Sequence, residues 1–537
     1  MIWALFFQVI FLIIAGWTNQ LALTPDGVAF IRIASYYANG QTQLMISGYW
    51  GPLLSWLMVP WIWLGAHPHT AARVAMGLSA VVFLLGCISV FRVVQIPKAG
   101  AVLGTWIVTA ASVVWSVDKI APDLLMGGLL CFAVSRMLSP QWIDNPSTPF
   151  AAGILGGASY LARGVAFPLT FALGIGLGAL WVISRLSSIQ KVLRSVLITM
   201  LGFALVAIPW VLILSWQYQC LTISTSARIN HALVGPIGQG FPHNRMFHIP
   251  EPGRITWLED PSRSFMWLAD SSHPSTSWVE PSHPPFTFWS PFESVANIKH
   301  QLWRGVENYQ KTLHKLLDFD LLGLGVFALV CSLLCPTPWR QTLGSDRWRW
   351  SGIPVAGLCS MYLPFFPGPE RYYYLTYPFL IAASMGMVDW LTYIAQKKMN
   401  VPRLIGLGLV VSSFALPILL RLPATLWGQA NQGVYAYKLA QKLQAANLHG
   451  PVASIANYRE GLYLAFYMNS AWYGSETEPA LVRLKTSGAK LIVVLRGSPL
   501  LSTLNQDADF KALDRILFES EDQAHSFPWT IYQVVAP

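Results

Sequence analysis

Few side chains in this sequence carry charge, and those few mark where chemistry could occur. Asp26 opens the segment TPDGVAFIRIASYYANG (24–40). Pro25 and Asp26 form a helix-start signal, and Phe30, Ile33 and Tyr37 then share one face at i, i+3 and i+7. The pattern predicts a short amphipathic helix on a membrane surface, with a carboxylate at its N-terminal end. A helix cap is the commoner role of such a group; general-base work is the sharper one. Asp123 stands in DKIAPDLLMG (118–127), where Pro122 starts another helix. Its plain role is again a helix-start carboxylate. Arg163 interrupts the apolar stretch YLARGVAFP (160–168). An ionisable group at membrane depth is a functional candidate, although an arginine at a hairpin turn also snorkels to the interface. Glu370, Arg371 and Tyr372 stand in FPGPERYYYLTYP (366–378). Tyrosines there suit an aromatic belt. The arginine fork suits an anionic lipid phosphate, whose oxygens it binds bidentately.

The elements that must position these groups follow from composition. The chain has 537 residues, 54% of them hydrophobic and only 11% charged, and a mean hydropathy of +0.46. A soluble domain is nearer a quarter charged, so an ordinary cytosolic enzyme is excluded. Disorder is excluded too, because it needs low hydrophobicity. Apolar runs recur at spanning length and predict an all-α polytopic membrane protein. Eleven spans are expected, at about 2–17, 73–94, 101–117, 124–138, 150–163, 167–184, 195–216, 319–335, 351–366, 374–394 and 404–422. The first run has no charged leader and no small-residue cleavage site, so it is expected to be a retained helix.

The segment YWGPLLSWLMVPWIWLG (49–65), with Pro52 and Pro60, decides the topology. If it spans, every later loop changes sides. If it lies in the interface or re-enters, alternate loops are consistently basic. That set carries Arg92 and Lys98, then Arg136, then Arg185, Lys191 and Arg194, then Arg340, Arg347 and Arg349, then Lys397, Lys398 and Arg403. By the positive-inside rule it is cytoplasmic. The opposite, outer face then carries the first loop, 18–72, with its amphipathic juxtamembrane helices. It also carries the long loop 217–318 and everything beyond residue 422. Residues 1–422 form the expected transmembrane domain. Residues 423–537 balance acids against bases. There YAYKLAQKLQAANL (435–448) has helical spacing, and PVASIA (451–456), KLIVVLR (490–496) and TIYQVV (530–535) predict strands. A small outer-face α/β domain is expected. On this topology Asp26, Asp123, Arg163 and Arg371 share one face and similar depth, and should line one cavity.

Other chemistries lack support. Five of the six cysteines lie inside apolar runs, no CxxC occurs, and only Cys220 sits in a polar segment. A disulfide or zinc framework is therefore a poor expectation. His67 and His69 stand in the first loop, and His243, His248, His273 and His283 are scattered among prolines. Such spacing does not indicate a divalent cation, and no cofactor is implied. There is no P-loop, GxSxG or HExxH motif. The net charge of +10 sits in short loops between apolar runs, so it does not point to nucleic acid.

Taken in order, several segments resemble the GT-C superfamily of integral-membrane glycosyltransferases, in its protein O-mannosyltransferase and aminoarabinose transferase branch. They are TPDGVAFIRIASYYANG, GYWGPLLSWLMVPWIWLG (48–65), AARVAMGLSAVVFLLG (71–86), APDLLMGGLLCFAV (121–134), YLARGVAFPL (160–169) and ERYYYLTYPFLIAA (370–383). Each is unspecific alone; their order on one face carries the resemblance, over roughly residues 1–420. The family usually shows an Asp-Glu pair where this chain has Asp26 and Gly27. Its Tyr-Pro-Pro-type segment becomes Tyr49-Trp50-Gly51-Pro52, and a Lys is common where Arg163 stands.

The resemblance implies transfer of a sugar from a polyprenyl-phosphate donor to a hydroxyl of a lipid, glycan or protein acceptor. The site would lie on the outer, periplasmic face of a bacterial inner membrane, in contact with membrane lipids. Asp26 would be the general base of an inverting reaction, and Asp123 would orient the acceptor or share that role. Arg163, Glu370, Arg371 and Tyr372 would bind substrate and phosphate. A multi-pass transporter or lipid flippase is the rival expectation, and a non-catalytic membrane subunit a third. Transporters often show internal repeats and mid-membrane polar groups. Here no repeat is visible and the charged groups gather at one face.

Overall fold

Pro25, Pro52 and Pro68 each open a helix near the start of the chain, as expected where a missing N–H costs nothing. The computed structural model describes residues 1–232, 234–236, 288–334, 347–395, 403–455, 458–470, 472–476, 485, 488–517 and 528–535. After α1 (Ile2–Thr18) come α2 (Pro25–Ala38), α3 (Pro52–Trp63) and α4 (Pro68–Val93). Then follow α5 (Lys98–Asp118), α6 (Asp123–Leu138), α7 (Ser147–Ala162), α8 (Ala166–Ile183) and α9 (Ile189–Tyr218). The second half has α10 (Val295–Leu317), α11 (Leu324–Leu334), α12 (Gly352–Tyr362), α13 (Tyr377–Ala395) and α14 (Arg403–Leu426).

Each of the eleven expected spans coincides with a helix. Among the described residues, five helices are long and apolar enough to cross a membrane: α4, α5, α8, α9 and the Leu404–Leu426 part of α14. The others are mostly shorter. Along α9, Leu197, Leu201, Leu205 and Leu212 are all exposed. Such a stripe suits hydrocarbon and not water, so the chain is an integral membrane protein. Segment 49–65 forms only the 12-residue α3, about 18 Å at 1.5 Å per residue. That is too short for a ~30 Å hydrocarbon core. Instead α3 lies against α2, where the Ser55 hydroxyl donates to the Phe30 carbonyl at 2.9 Å. The histidines 243, 248, 273 and 283, and the basic positions 340, 397 and 398, lie outside the described residues.

The bundle core is aromatic near α5, where Trp115 stacks on Tyr374 with centroids 3.9 Å apart. α7 and α9 meet along a seam of small residues, Gly153, Gly157 and Gly202, which lets their backbones approach. Buried Gln8 of α1 donates to the Ala80 carbonyl at 3.0 Å and to Ser112 at 2.8 Å, which satisfies its amide N–H groups inside apolar surroundings.

Beyond α14 come α15 (Val434–Ala445) and a five-stranded sheet with α16 (Tyr458–Tyr467). The strands are β1 (Val452–Ile455), β2 (Trp472–Glu476), β3 (Leu491–Leu495), β4 (Phe510–Ala512) and β5 (Trp529–Val534), in the order β2-β1-β3-β5-β4. β2, β1 and β3 are parallel, and β5 and β4 add on antiparallel. This unit is tied to the helix that carries Asp26. The buried Arg32 guanidinium on α2 donates to Asn469 Oδ1 at 2.5 Å and to the Phe466 carbonyl at 3.2 Å.

Candidate active site

The first turn of α2 separates capping from charge. Thr24 is the N-cap, and its hydroxyl accepts the Gly27 N–H at 3.2 Å. Asp26 is therefore not the cap, and its carboxylate is ion-paired with the Arg371 guanidinium. Gly27, the next residue, packs on the 118–122 loop. A Cβ there would meet Ile120 Cβ and Thr24 Oγ1 at 3.0 Å. A larger side chain there would have to displace one of them.

The partner charges arrive from three other elements. Asp123 is the first residue of α6, after Pro122, and is only 1% exposed. Arg163 ends α7, where extended backbone breaks the helix before α8 begins. It pairs with Asp123, and its guanidinium lies 3.7 Å from the centre of the Tyr372 ring. Arg371 and Tyr372 belong to the 3-10 turn Glu370–Thr376. Arg371 Nε is 3.7 Å from Asp123 Oδ2. The result is one alternating chain, Asp26–Arg371–Asp123–Arg163, drawn from four separate elements. Burial works against the Arg371 charge. Asp26 and Tyr372 together more than offset that, so the guanidinium is held above the ordinary arginine range.

All four groups, and Tyr372, line one cavity of about 1460 Å³. That exceeds the ~300–1,000 Å³ of sites for drug-sized ligands. Phe30, Trp50, Phe167, Phe171, Met361 and Phe365 supply apolar wall, so charge sits at one region of a mainly apolar chamber. Gly51 lies so close to the Ala162 carbonyl that any Cβ would overlap it, and this contact brings Tyr49 and Trp50 to the wall. Burial, then Tyr372 and Asp26, push the Tyr49 phenol up, so it stays a neutral hydroxyl.

Glu370 is the exception among the expected site residues. It is not among the cavity-lining residues. Its carboxylate faces Arg421 at 3.7 Å, and Arg421 also pairs with Asp118. Burial raises the Glu370 carboxyl above the ordinary range, and Arg421 opposes that. Nearby Lys119 is held below the usual lysine range by burial and then by Arg371.

Sequence reasoning missed Tyr49, Tyr362 and the wall segment 217–230, including Arg228 over the Phe288 ring at 3.7 Å. Arg228 had a signal, a cation in a loop on the expected site face. His67 and His69 are structural. His67 Nδ1 accepts the His69 N–H at 3.3 Å at the start of α4, and buried His69 contacts the Ala22 carbonyl at 3.2 Å. Among the described residues no group of three His, Cys, Asp or Glu could hold a metal ion.

No family model matches the chain, and no curated protein does. Solved structures do match. The chain is similar to ArnT from Cupriavidus metallidurans bound to undecaprenyl phosphate, with TM-score 0.53 and 12% identity over 99% of this chain and 97% of that one. The apo state of the same protein gives TM-score 0.54 and 12% identity, over 100% and 99%. Arabinofuranosyltransferase AftD from Mycobacteria gives TM-score 0.44 and 13% identity, over 100% of this chain but 40% of that one. At such identity the ArnT likeness is a likeness of fold: the chain shares the architecture of a polytopic helical membrane protein with a small C-terminal sheet.

Proposed function

We propose that this protein is a GT-C-type glycosyltransferase. It moves a sugar from a polyprenyl-phosphate donor to an acceptor hydroxyl at the outer face of the membrane, with inversion. The observation that carries the reading is the Asp26–Arg371–Asp123–Arg163 chain set into a large apolar cavity. The fold is shared with a protein whose structure holds undecaprenyl phosphate, which supports a lipid-linked donor. Such a donor needs hydrocarbon-lined space for its tail and cations for its phosphate.

The chemistry then assigns roles. The Asp26 carboxylate takes the proton of the acceptor hydroxyl. The freed oxygen attacks the anomeric carbon from the face opposite the phosphate. The bond from that carbon to the phosphate oxygen breaks, and its electron pair leaves with the polyprenyl phosphate. Arg371 and Arg163 neutralise the departing charge, an electrostatic role that often supplies the largest share of catalysis. A donor phosphate competes with Asp26 for Arg371, so loading the donor also frees the base. Asp123, almost wholly buried between the two arginines, holds them in place and orients the acceptor. The site is that of a bacterial inner membrane protein working on its periplasmic side. Its acceptor is a hydroxyl of a lipid, glycan or protein.

The test is binding of polyprenyl phosphate to the purified protein, followed by native mass spectrometry. Wild type should retain the lipid. Arg371→Ala should weaken retention by roughly 10- to 100-fold, the worth of a charge-assisted hydrogen bond of about 1.5–3 kcal/mol. Equal retention by both would remove the phosphate role of Arg371.

A further inference from the structure

α10 is turned inside out with respect to water. Val295, Leu302, Val306 and Tyr309 form an apolar stripe at helical spacing, and each is 55–69% exposed. Phe292 and Trp303 extend it and are also exposed. The side facing the protein is polar, with Asn297, Asn308 and Thr312 buried. A surface helix of a soluble protein shows the reverse arrangement. The buried polar side is fully used. Gln301 Nε2 donates to the Pro364 carbonyl at 3.0 Å. Asn308 Nδ2 donates to the carbonyls of Leu363 at 2.9 Å and Phe365 at 3.0 Å. Thr312 and Tyr373 share a hydroxyl hydrogen bond at 3.1 Å. Pro364 and Phe365 line the cavity.

Length alone would let the 23 residues of α10 cross a bilayer. Its charges forbid that. Arg304, Glu307 and Lys311 pair with one another along a third side of the helix. Three sides therefore meet three surroundings: protein carbonyls, water and something apolar. The apolar stripe also runs on into exposed Leu321, Leu322, Phe327 and Val330, at the head of α11 and along it. It is thus continuous with the hydrocarbon-facing surface of the bundle.

We propose that α10 is an interfacial helix seated at the headgroup–acyl boundary of the phospholipid bilayer, and that this lipid contact holds the cavity wall at Leu363–Phe365. The seating depth of such helices is about 5–10 Å into that boundary. The proposal stands on burial and hydrogen bonding alone, and does not depend on the transferase reading.

The experiment uses the full-length protein without its native cysteines, in nanodiscs of phosphatidylcholine and phosphatidylglycerol. Spin labels go on Leu302→Cys, Val306→Cys and Lys311→Cys, one at a time. Collisions with oxygen, which partitions into lipid, are compared with collisions with a water-soluble nickel chelate. Labels at 302 and 306 should collide mainly with oxygen, and the label at 311 mainly with nickel. Strong nickel collisions at 302 and 306 would place the stripe in water and overturn the proposal. Shielding from both reagents would mean a protein partner covers the stripe, and would overturn it equally. The wall is tested with a label on Phe365→Cys. Adding Leu302→Ser and Val306→Ser should raise that label's mobility, and an unchanged spectrum would break the link between lipid and wall. If the doubly polar variant does not fold, the single-label scan still decides the seating.

Discussion

Two ion-pair clusters sit at the same end of the bundle, and the boundary between them falls between adjacent residues. Arg371 joins Asp26, Asp123 and Arg163 inside the cavity, whereas Glu370 joins Arg421 and Asp118 outside it. The 3-10 turn explains the split, since at three residues per turn neighbours point well apart. Both clusters are built from carboxylates and arginines, so charge type does not distinguish them. Burial does. It separates the centres of the two clusters: Asp123 and Arg371 side chains are 2% and 12% exposed, while those of Glu370, Asp118 and Arg421 are 32%, 27% and 42% exposed, and Arg163 and Asp26, at 20% and 25%, lie between. A charge sealed from water acts strongly on whatever enters beside it; a charge that water reaches is screened.

The largest effect should come from Asp123→Asn. Removing one partner of a buried pair leaves the other charge uncompensated, at about 3–5 kcal/mol. A marked drop in thermal midpoint in detergent is expected, together with loss of transfer. An unchanged midpoint would mean that the cavity cluster is as well solvated as its neighbour. Arg421→Ala tests the other side of the comparison. An exposed pair contributes about 0–1 kcal/mol, so stability should change little and transfer should persist. A collapse of transfer in this variant would move the functional boundary to include the second cluster.

The smallest effect concerns pH. Burial holds the Glu370 carboxyl above its ordinary range, so the folded state keeps that proton longer than the unfolded chain does. The contribution is fully present below the unfolded pKa and is lost as pH rises through the folded one. Glu370→Gln should flatten this part of the stability-against-pH curve. An unaltered curve would show that Arg421 already cancels the burial.

Much of this was legible in the sequence, for physical reasons that differ by residue. Asp26, Asp123, Arg163 and Arg371 stood out because an ionisable group in an apolar run is costly and so rare. Loop charge then put them on one face, and the fold brings them together. Glu370 was grouped with Arg371 because adjacency in a loop says nothing about direction. That Thr24, and not Asp26, caps α2 was also hidden. Thr24 and Asp26 both have side chains able to cap, and only the backbone geometry shows which one does. In the C-terminal unit, strands β1, β3 and β5 announce themselves by β-branched runs. β2, spelled WYGSE, and the three-residue β4 do not, because their pairing comes from neighbours and not from propensity. Helix α10 and its exposed stripe go unread in the sequence, where 217–318 stands whole as a long outer loop. Spacing alone does not tell which side meets protein, and the carbonyls of Leu363 and Phe365 settle it.

The central claim is that the Asp26 carboxylate accepts the proton. Asp26→Asn tests it most directly, because Thr24 keeps the helix cap and the amide keeps the size. The measurement is sugar transfer from a polyprenyl-phosphate-linked donor by purified wild type and variant, at matched protein levels, with polyprenyl phosphate retention followed alongside. Turnover should fall by roughly 100-fold or more, while retention holds or tightens, because Arg371 loses its competing carboxylate. Near-wild-type turnover in Asp26→Asn would contradict the claim.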